Sequence, residues 1–138
     1  MRNEEGIPLA AGYGHMQGIS SAFHAEANAF LQAIRCVSHL GCSRVHFETD
    51  AINLKNAVSS DEYDVSCLGV LFREIKALLE NAFDVTKISV CNRNCNLVAH
   101  DLAARGALLG DDNQFVWIVD LPQFVIDLCA DNMSSTMS

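Results

Sequence analysis

The chain has 138 residues, half of them hydrophobic and 19% charged, with 17 acidic side chains against nine basic ones and a net charge of −8. That is enough chain for one apolar core and too apolar for global disorder, and no apolar run approaches the roughly 18 residues that span a bilayer. The acid excess is concentrated late, with six aspartates against Arg105 alone in residues 101–138, which argues against a basic face for tight non-specific binding to phosphate.

The opening MRNEEGIPLA lacks the apolar core of a secretory leader, so the expectation is an intracellular protein with no membrane association. Cys36, Cys42, Cys67, Cys91, Cys95 and Cys129 are then expected as thiols in a reducing compartment rather than as disulfides. Cys91, Cys95 and His100 have the spacing of half a zinc site. A fourth ligand is wanted about five residues after the histidine, and Arg105 stands there, so a closed four-ligand set is not expected.

Ile7–Ala11 and Tyr13–Met16, punctuated by Gly6, Gly12, Gly14 and Gly18, predict a hairpin. Pro8 cannot donate to a ladder, so its strand needs an open side or an irregularity there. From Ser21 to Leu40, Phe23, Ala27, Phe30, Leu31, Ile34 and Val37 recur at helical spacing, with serine caps before them and Gly41 as a left-handed stop. Arg44–Thr49 alternates as a strand does. A short helix is expected from Asp50 to about Val58, followed by the polar loop Ser59–Glu62. Leu68, Leu71, Phe72, Ile75, Leu78 and Leu79 fit a helix to Asn81 without a miss. Lys87–Cys91 reads as a strand, Asn96 to about Leu108 as a helix, and Pro122 as the first residue of a final amphipathic helix with Leu121, Phe124, Val125 and Leu128 on one face. Strands alternating with helices predict an α/β fold with a mixed sheet flanked by helices. The expected division is a domain over residues 1–109 and a C-terminal extension over residues 110–138, with one helix and a disordered end.

Three positions are candidates for chemistry. Glu26 lies three residues after Phe23 and four before Phe30, on or beside the apolar stripe, where a carboxylate is paired, metal-bound or directed into a cleft. The structural alternative is a first-turn glutamate that complements the helix dipole. Asp50 ends a strand, where open α/β sheets place their ligands, and its alternative is the N-cap of the short helix. His100 lies four residues after Asn96 near the start of a late helix, where a structural or surface imidazole is the alternative. Two carboxylates and a histidine from a helix, a strand end and a late helix start suit divalent-cation chemistry on phosphate.

HAEANAFLQAIRCVSHLGCSRVHFETDA, followed by NLVAHDLA, resembles the type-1 ribonuclease H superfamily, and within it the plant reverse-transcriptase-like subgroup related to retroelement polyproteins. The likeness runs from about Asn3 to Gly106, and Phe115–Asp131 is similar to that subgroup's C-terminal extension. The resemblance implies a five-stranded mixed sheet in spatial order 3-2-1-4-5 and metal-dependent hydrolysis of the RNA strand of RNA–DNA hybrids. It implies four acidic positions holding two Mg²⁺ ions. The second corresponds to Glu26, the third to Asp50, and the fourth to His100, a residue that many members of the plant subgroup have there. Asp101 is a reserve carboxylate, but it is about 100° round the helix from His100.

The first of the family's acidic positions is an aspartate in the central first strand. Met1–Gly6 resembles the turn after that strand, so the expectation is a ribonuclease-H-like fold without its central strand and without the carboxylate that touches both metals. Strand closure, a shortened gene product or a strand donated by another chain would each answer the missing partner. The expected function is therefore an impaired RNA–DNA hybrid ribonuclease that binds Mg²⁺, or Mn²⁺, weakly. The alternatives are a non-catalytic module that binds nucleic acid or protein, and a truncated transposon-derived product.

Overall fold

The computed structural model describes residues 1–16, 18–92, 94, 96–110, 114–118 and 120–137, with side chains given through residue 131. In chain order the elements are β1 (Ala10–Gly14), α1 (Ala22–His39), β2 (Arg44–Thr49), α2 (Ile52–Ser59), α3 (Gly69–Ala82), β3 (Val85–Val90), α4 (Leu97–Ala107), β4 (Gln114–Ile118) and α5 (Gln123–Met137). The α/β class holds. The parallel and antiparallel pairings expected of one mixed sheet are both present, but in two separate two-stranded sheets, β2–β3 and β1–β4. The chain divides into two compact units, Ile19–Cys91 and Met1–Gly18 with Asn92–Ser138. β4, beyond residue 110, pairs with β1 near the start of the chain. Among the described residues no helix is long and apolar enough to cross a membrane.

In the Ile19–Cys91 unit, Ser21 is extended and its hydroxyl accepts a hydrogen bond from the His24 amide at 3.1 Å, which starts α1. Gly41, at φ +77°, ends it, a conformation that costs glycine nothing. Between these stops Ala27, Phe30, Leu31, Ile34 and Val37 are buried. They meet Leu54, Ala57 and Val58 of α2 and Phe72, Ile75 and Leu79 of α3 in one core. β2 and β3 run parallel, from Arg44 opposite Val85 to Thr49 opposite Val90. Strand alternation turns Val45, Phe47 and Ile88 onto that core, where Phe47 meets Phe30 edge-on at 4.9 Å. It leaves Arg44, His46, Glu48 and Lys87 exposed on the other face. The loop between α2 and α3 is held by Lys76, whose ammonium donates to the Ser60 carbonyl at 2.8 Å, Asp64 at 2.6 Å and Asp61 at 3.2 Å. Hydrogen bonding to Asp64 is the main cause that raises the proton affinity of Lys76. Gly69 is needed here because a Cβ would collide with the Asp64 carbonyl.

In the second unit the chain turns early. The Asn3 side-chain oxygen accepts hydrogen bonds from the amides of Glu5 and Ile7 at 3.0 and 2.9 Å, Gly6 adopts φ +79°, and Arg2 bridges to Pro8. The expected hairpin of Ile7–Ala11 with Tyr13–Met16 does not form. One strand instead runs through Gly12 and pairs antiparallel with β4, from Ala10 opposite Ile118 to Gly14 opposite Gln114. Gly12 is a close-approach residue rather than a break, since a Cβ there would lie 2.9 Å from the Phe115 carbonyl oxygen. β4 itself has no counterpart among the predicted elements. Asn96 occupies the N-cap of α4 as expected, though its side chain makes no capping bond. Leu102, Val125 and Cys129 are buried between α4 and α5, with Tyr13, Leu121 and Phe124 around them. The Arg105 guanidinium carbon lies 4.0 Å above the Phe124 ring. Pro122 stands just before α5 rather than at its first position, and its carbonyl accepts from Val125 and Ile126 at 3.0 and 3.3 Å. The helical backbone of α5 continues to Met137.

Candidate acidic site at the end of β2

Glu26 is the fifth residue of α1, and no acidic residue lies in that helix's first turn. Its place is therefore not explained by the helix dipole, whose effect falls off within one turn. The stripe beside it buries Ala27 and Phe30, while Glu26 itself is exposed by area. Partial burial still pushes its carboxyl above the ordinary glutamate range, and the negative charge of Asp50 pushes it further in the same direction. Water around an exposed group screens such couplings. α1 and the end of β2 thus present two carboxylates that feel one another.

Asp50 follows Thr49, the last residue of β2. The alternative role, N-cap of α2, falls one residue later, on Ala51, without a side-chain capping bond. The Ala51 amide donates instead to the Thr49 hydroxyl at 3.1 Å. Thr49 thus shapes the turn that carries Asp50, a role absent from the sequence reading. The Thr-Asp-Ala run is its visible signal, because threonine hydroxyls close turns onto the backbone two residues on. Asp50 is exposed.

His100 belongs to the other compact unit. It is exposed on α4, and its amide donates to the Asn96 carbonyl at 3.0 Å, while the neighbouring Asp101 is half-buried. Of the three expected site residues, the Ile19–Cys91 unit brings together Glu26 and Asp50. Cys95 of the suggested half zinc site lies outside the described residues. Cys36, Cys42, Cys67 and Cys129 are free thiols. Among the described residues no group of three or more His, Cys, Asp or Glu side chains is clustered to hold a metal ion.

The donor chemistry of the coupled pair is that of a hard cation. Burial first and the Asp50 charge second raise the proton affinity of Glu26, and carboxylate oxygens are the ligand type that hard divalent cations take. Two clefts, of about 440 and about 460 Å³, lie elsewhere in this unit, around Leu79 and Glu80, and neither is lined by Glu26 or Asp50. Glu26 and Asp50 are both exposed.

A family model described as reverse transcriptase-like matches residues 1–106. No curated protein and no solved structure matched the chain.

Proposed function

Because the chain belongs to the reverse transcriptase-like family, a ribonuclease-H-like group, we propose that Glu26 and Asp50 form part of a phosphodiester-hydrolysing site for the RNA strand of RNA–DNA hybrids, retroelement-derived and impaired in these 138 residues. The observation that carries the reading is the placement of two carboxylates in one unit, Glu26 on α1 and Asp50 after the end of β2, where burial first and the Asp50 charge second raise the proton affinity of Glu26. Glu26 and Asp50 would hold Mg²⁺ or Mn²⁺, which when bound supplies charge neutralisation at the phosphate and a more acidic water. The two residues also orient the cleaved bond.

Impairment follows from counting donors. Two carboxylates supply fewer hard oxygens than Mg²⁺ takes, so metal binding is expected to be weak. Hydrolysis by a metal pair needs ions about 3.5–4 Å apart, and a positioning error of about 1 Å can cost on the order of 10²-fold in rate. The net charge of −8 further weakens attraction to a polyanion.

The test is Mg²⁺-dependent cleavage of a labelled RNA–DNA hybrid by three proteins: this chain, this chain preceded by a strand carrying an aspartate, and the extended chain with Asp50→Asn. The expected result is little cleavage by the first, restored cleavage by the second and loss of it in the third. Robust cleavage by the first, or equal cleavage by the last two, would refute the proposal.

A further inference from the structure

We propose that Thr49 is a positioning residue for cation binding at the acidic pair: its hydroxyl and its carbonyl fix the backbone that carries Asp50, and Asp50 holds the ion. The inference rests on the reading of Glu26 and Asp50 as a divalent-cation site and deepens it by naming what sets the geometry of that site. Asp50 is exposed and has one methylene between backbone and carboxylate, so the place of its oxygens follows the backbone of residues 49–51. Glu26, on the fifth residue of α1, has a longer side chain and can adjust its reach. The demand for a fixed backbone therefore falls on the end of β2.

That backbone is tied on both sides of Asp50. On the strand side, the Thr49 carbonyl accepts the Cys91 amide at 2.9 Å, which carries the β2–β3 ladder one step past the Thr49–Val90 pair. On the helix side, the Thr49 hydroxyl accepts the Ala51 amide at 3.1 Å, across the two-residue span over which threonine hydroxyls close turns. Ala51 is the N-cap of α2, extended at φ −94° and ψ 99°, and makes no side-chain capping bond. The first amides of a helix otherwise lack partners. Ala51 packs against the core of this unit, in which Leu54 is buried. The connection from strand to helix thus has two fixed ends, with Asp50 between them. Thr49 is half-buried and β-branched, so its hydroxyl reaches the turn with little rotamer freedom to lose. Groups that orient a ligand without touching the ion commonly govern metal affinity by about 10–100-fold.

The test uses the full 138-residue chain with Mn²⁺ alone as the probe, read by paramagnetic broadening of the Glu26 and Asp50 amide signals. Hydrogen exchange of the Ala51 amide is a second reading that needs no metal. Thr49→Val keeps the shape and removes the acceptor. It should open the Ala51 amide to exchange and weaken Mn²⁺ binding by about tenfold, with an unchanged far-UV spectrum. Thr49→Ser restores the acceptor and should bring both readings to within a few-fold of the unmodified chain. Mn²⁺ binding indifferent to Thr49→Val overturns the proposal. So does a Thr49→Ser variant as weak as Thr49→Val, since the methyl group and not the hydroxyl would then be responsible. Asp50→Asn separates the two levels. If it binds Mn²⁺ as the unmodified chain does, the cation-site reading fails and this proposal with it; if it loses binding while Thr49→Val does not, the role of Thr49 alone fails. Should Thr49→Val not fold, Thr49→Ala gives the same comparison. An Ala51 amide that exchanges in the unmodified chain as fast as an unprotected peptide overturns the proposal without any variant.

Discussion

Replacing Phe72 by alanine should damage the unit that carries the acidic pair more than any nearby change on the same helix. Phe72 is fully buried in α3, with its ring centroid 5.4 Å from Phe23 and 6.0 Å from Tyr63. Truncating such a residue removes its transfer free energy and leaves a cavity, at a typical cost of about 3–5 kcal/mol. Loss of tilted ring pairs places this site in the upper half of that range, at about 4 kcal/mol. That is a large fraction of a domain stability of about 5–15 kcal/mol. With a urea slope of about 2 kcal/mol/M, the midpoint should fall by about 2 M. The assay is urea unfolding followed by helix circular dichroism, with Val70→Ala as the comparison. Val70 lies two residues away on α3 and is 71% exposed, so its change should stay within about 0.5 kcal/mol. Equal shifts for the two variants, or a shift below about 0.5 M for Phe72→Ala, would show that the packing around α3 is misassigned.

Gly106→Ala should destabilise the β1–β4 unit by about 1–3 kcal/mol, because a Cβ at Gly106 would run into the backbone of Gly14. Trp117, the single tryptophan, reports that unit by fluorescence, and an unchanged unfolding midpoint would contradict the close approach. Glu26 should lower stability as pH rises above 4.5: its folded-state affinity for protons exceeds that of the unfolded chain, so the folded state binds more protons through that window and gains nothing from the group below it. Asp50→Asn removes the lesser cause and leaves burial, so an NMR titration of the Glu26 carboxyl should move down yet stay above the ordinary value. No movement would mean that the two carboxylates are not neighbours.

The helices and β2 are legible in the sequence because each has one buried face. α1 and α3 repeat their apolar residues at helical spacing, and Arg44–Thr49 alternates in phase with its burial. β4 is not legible for the opposite reason. Phe115–Ile118 is apolar at every position and largely exposed, so it has no period to read, and short apolar runs do not declare their conformation. The glycines of Ala10–Gly14 suggest turns, whereas Gly12 serves the approach of a neighbouring strand. In the acidic site, residue types and a family likeness point to the pairing of Glu26 with Asp50. They do not reveal the exposure of Glu26, because spacing places a residue beside a stripe without saying which side of it faces water. Nor does spacing reveal that α2 is capped at Ala51, whose amide turns back to the Thr49 hydroxyl instead of being met by Asp50.

The two units stand in different relations to time during synthesis. Ile19–Cys91 is a continuous stretch of chain and can collapse as soon as it has left the ribosome. The β1–β4 ladder joins residues roughly a hundred positions apart, and non-local pairings close slowly. Until Gln114–Ile118 has been translated, β1 waits with its hydrogen-bonding edge unmet, so a nascent chain halted between residues 91 and 114 holds the acidic pair in a finished unit while the other is still open. The order of assembly is thereby written into the connectivity: the middle of the chain first, the two ends last and together.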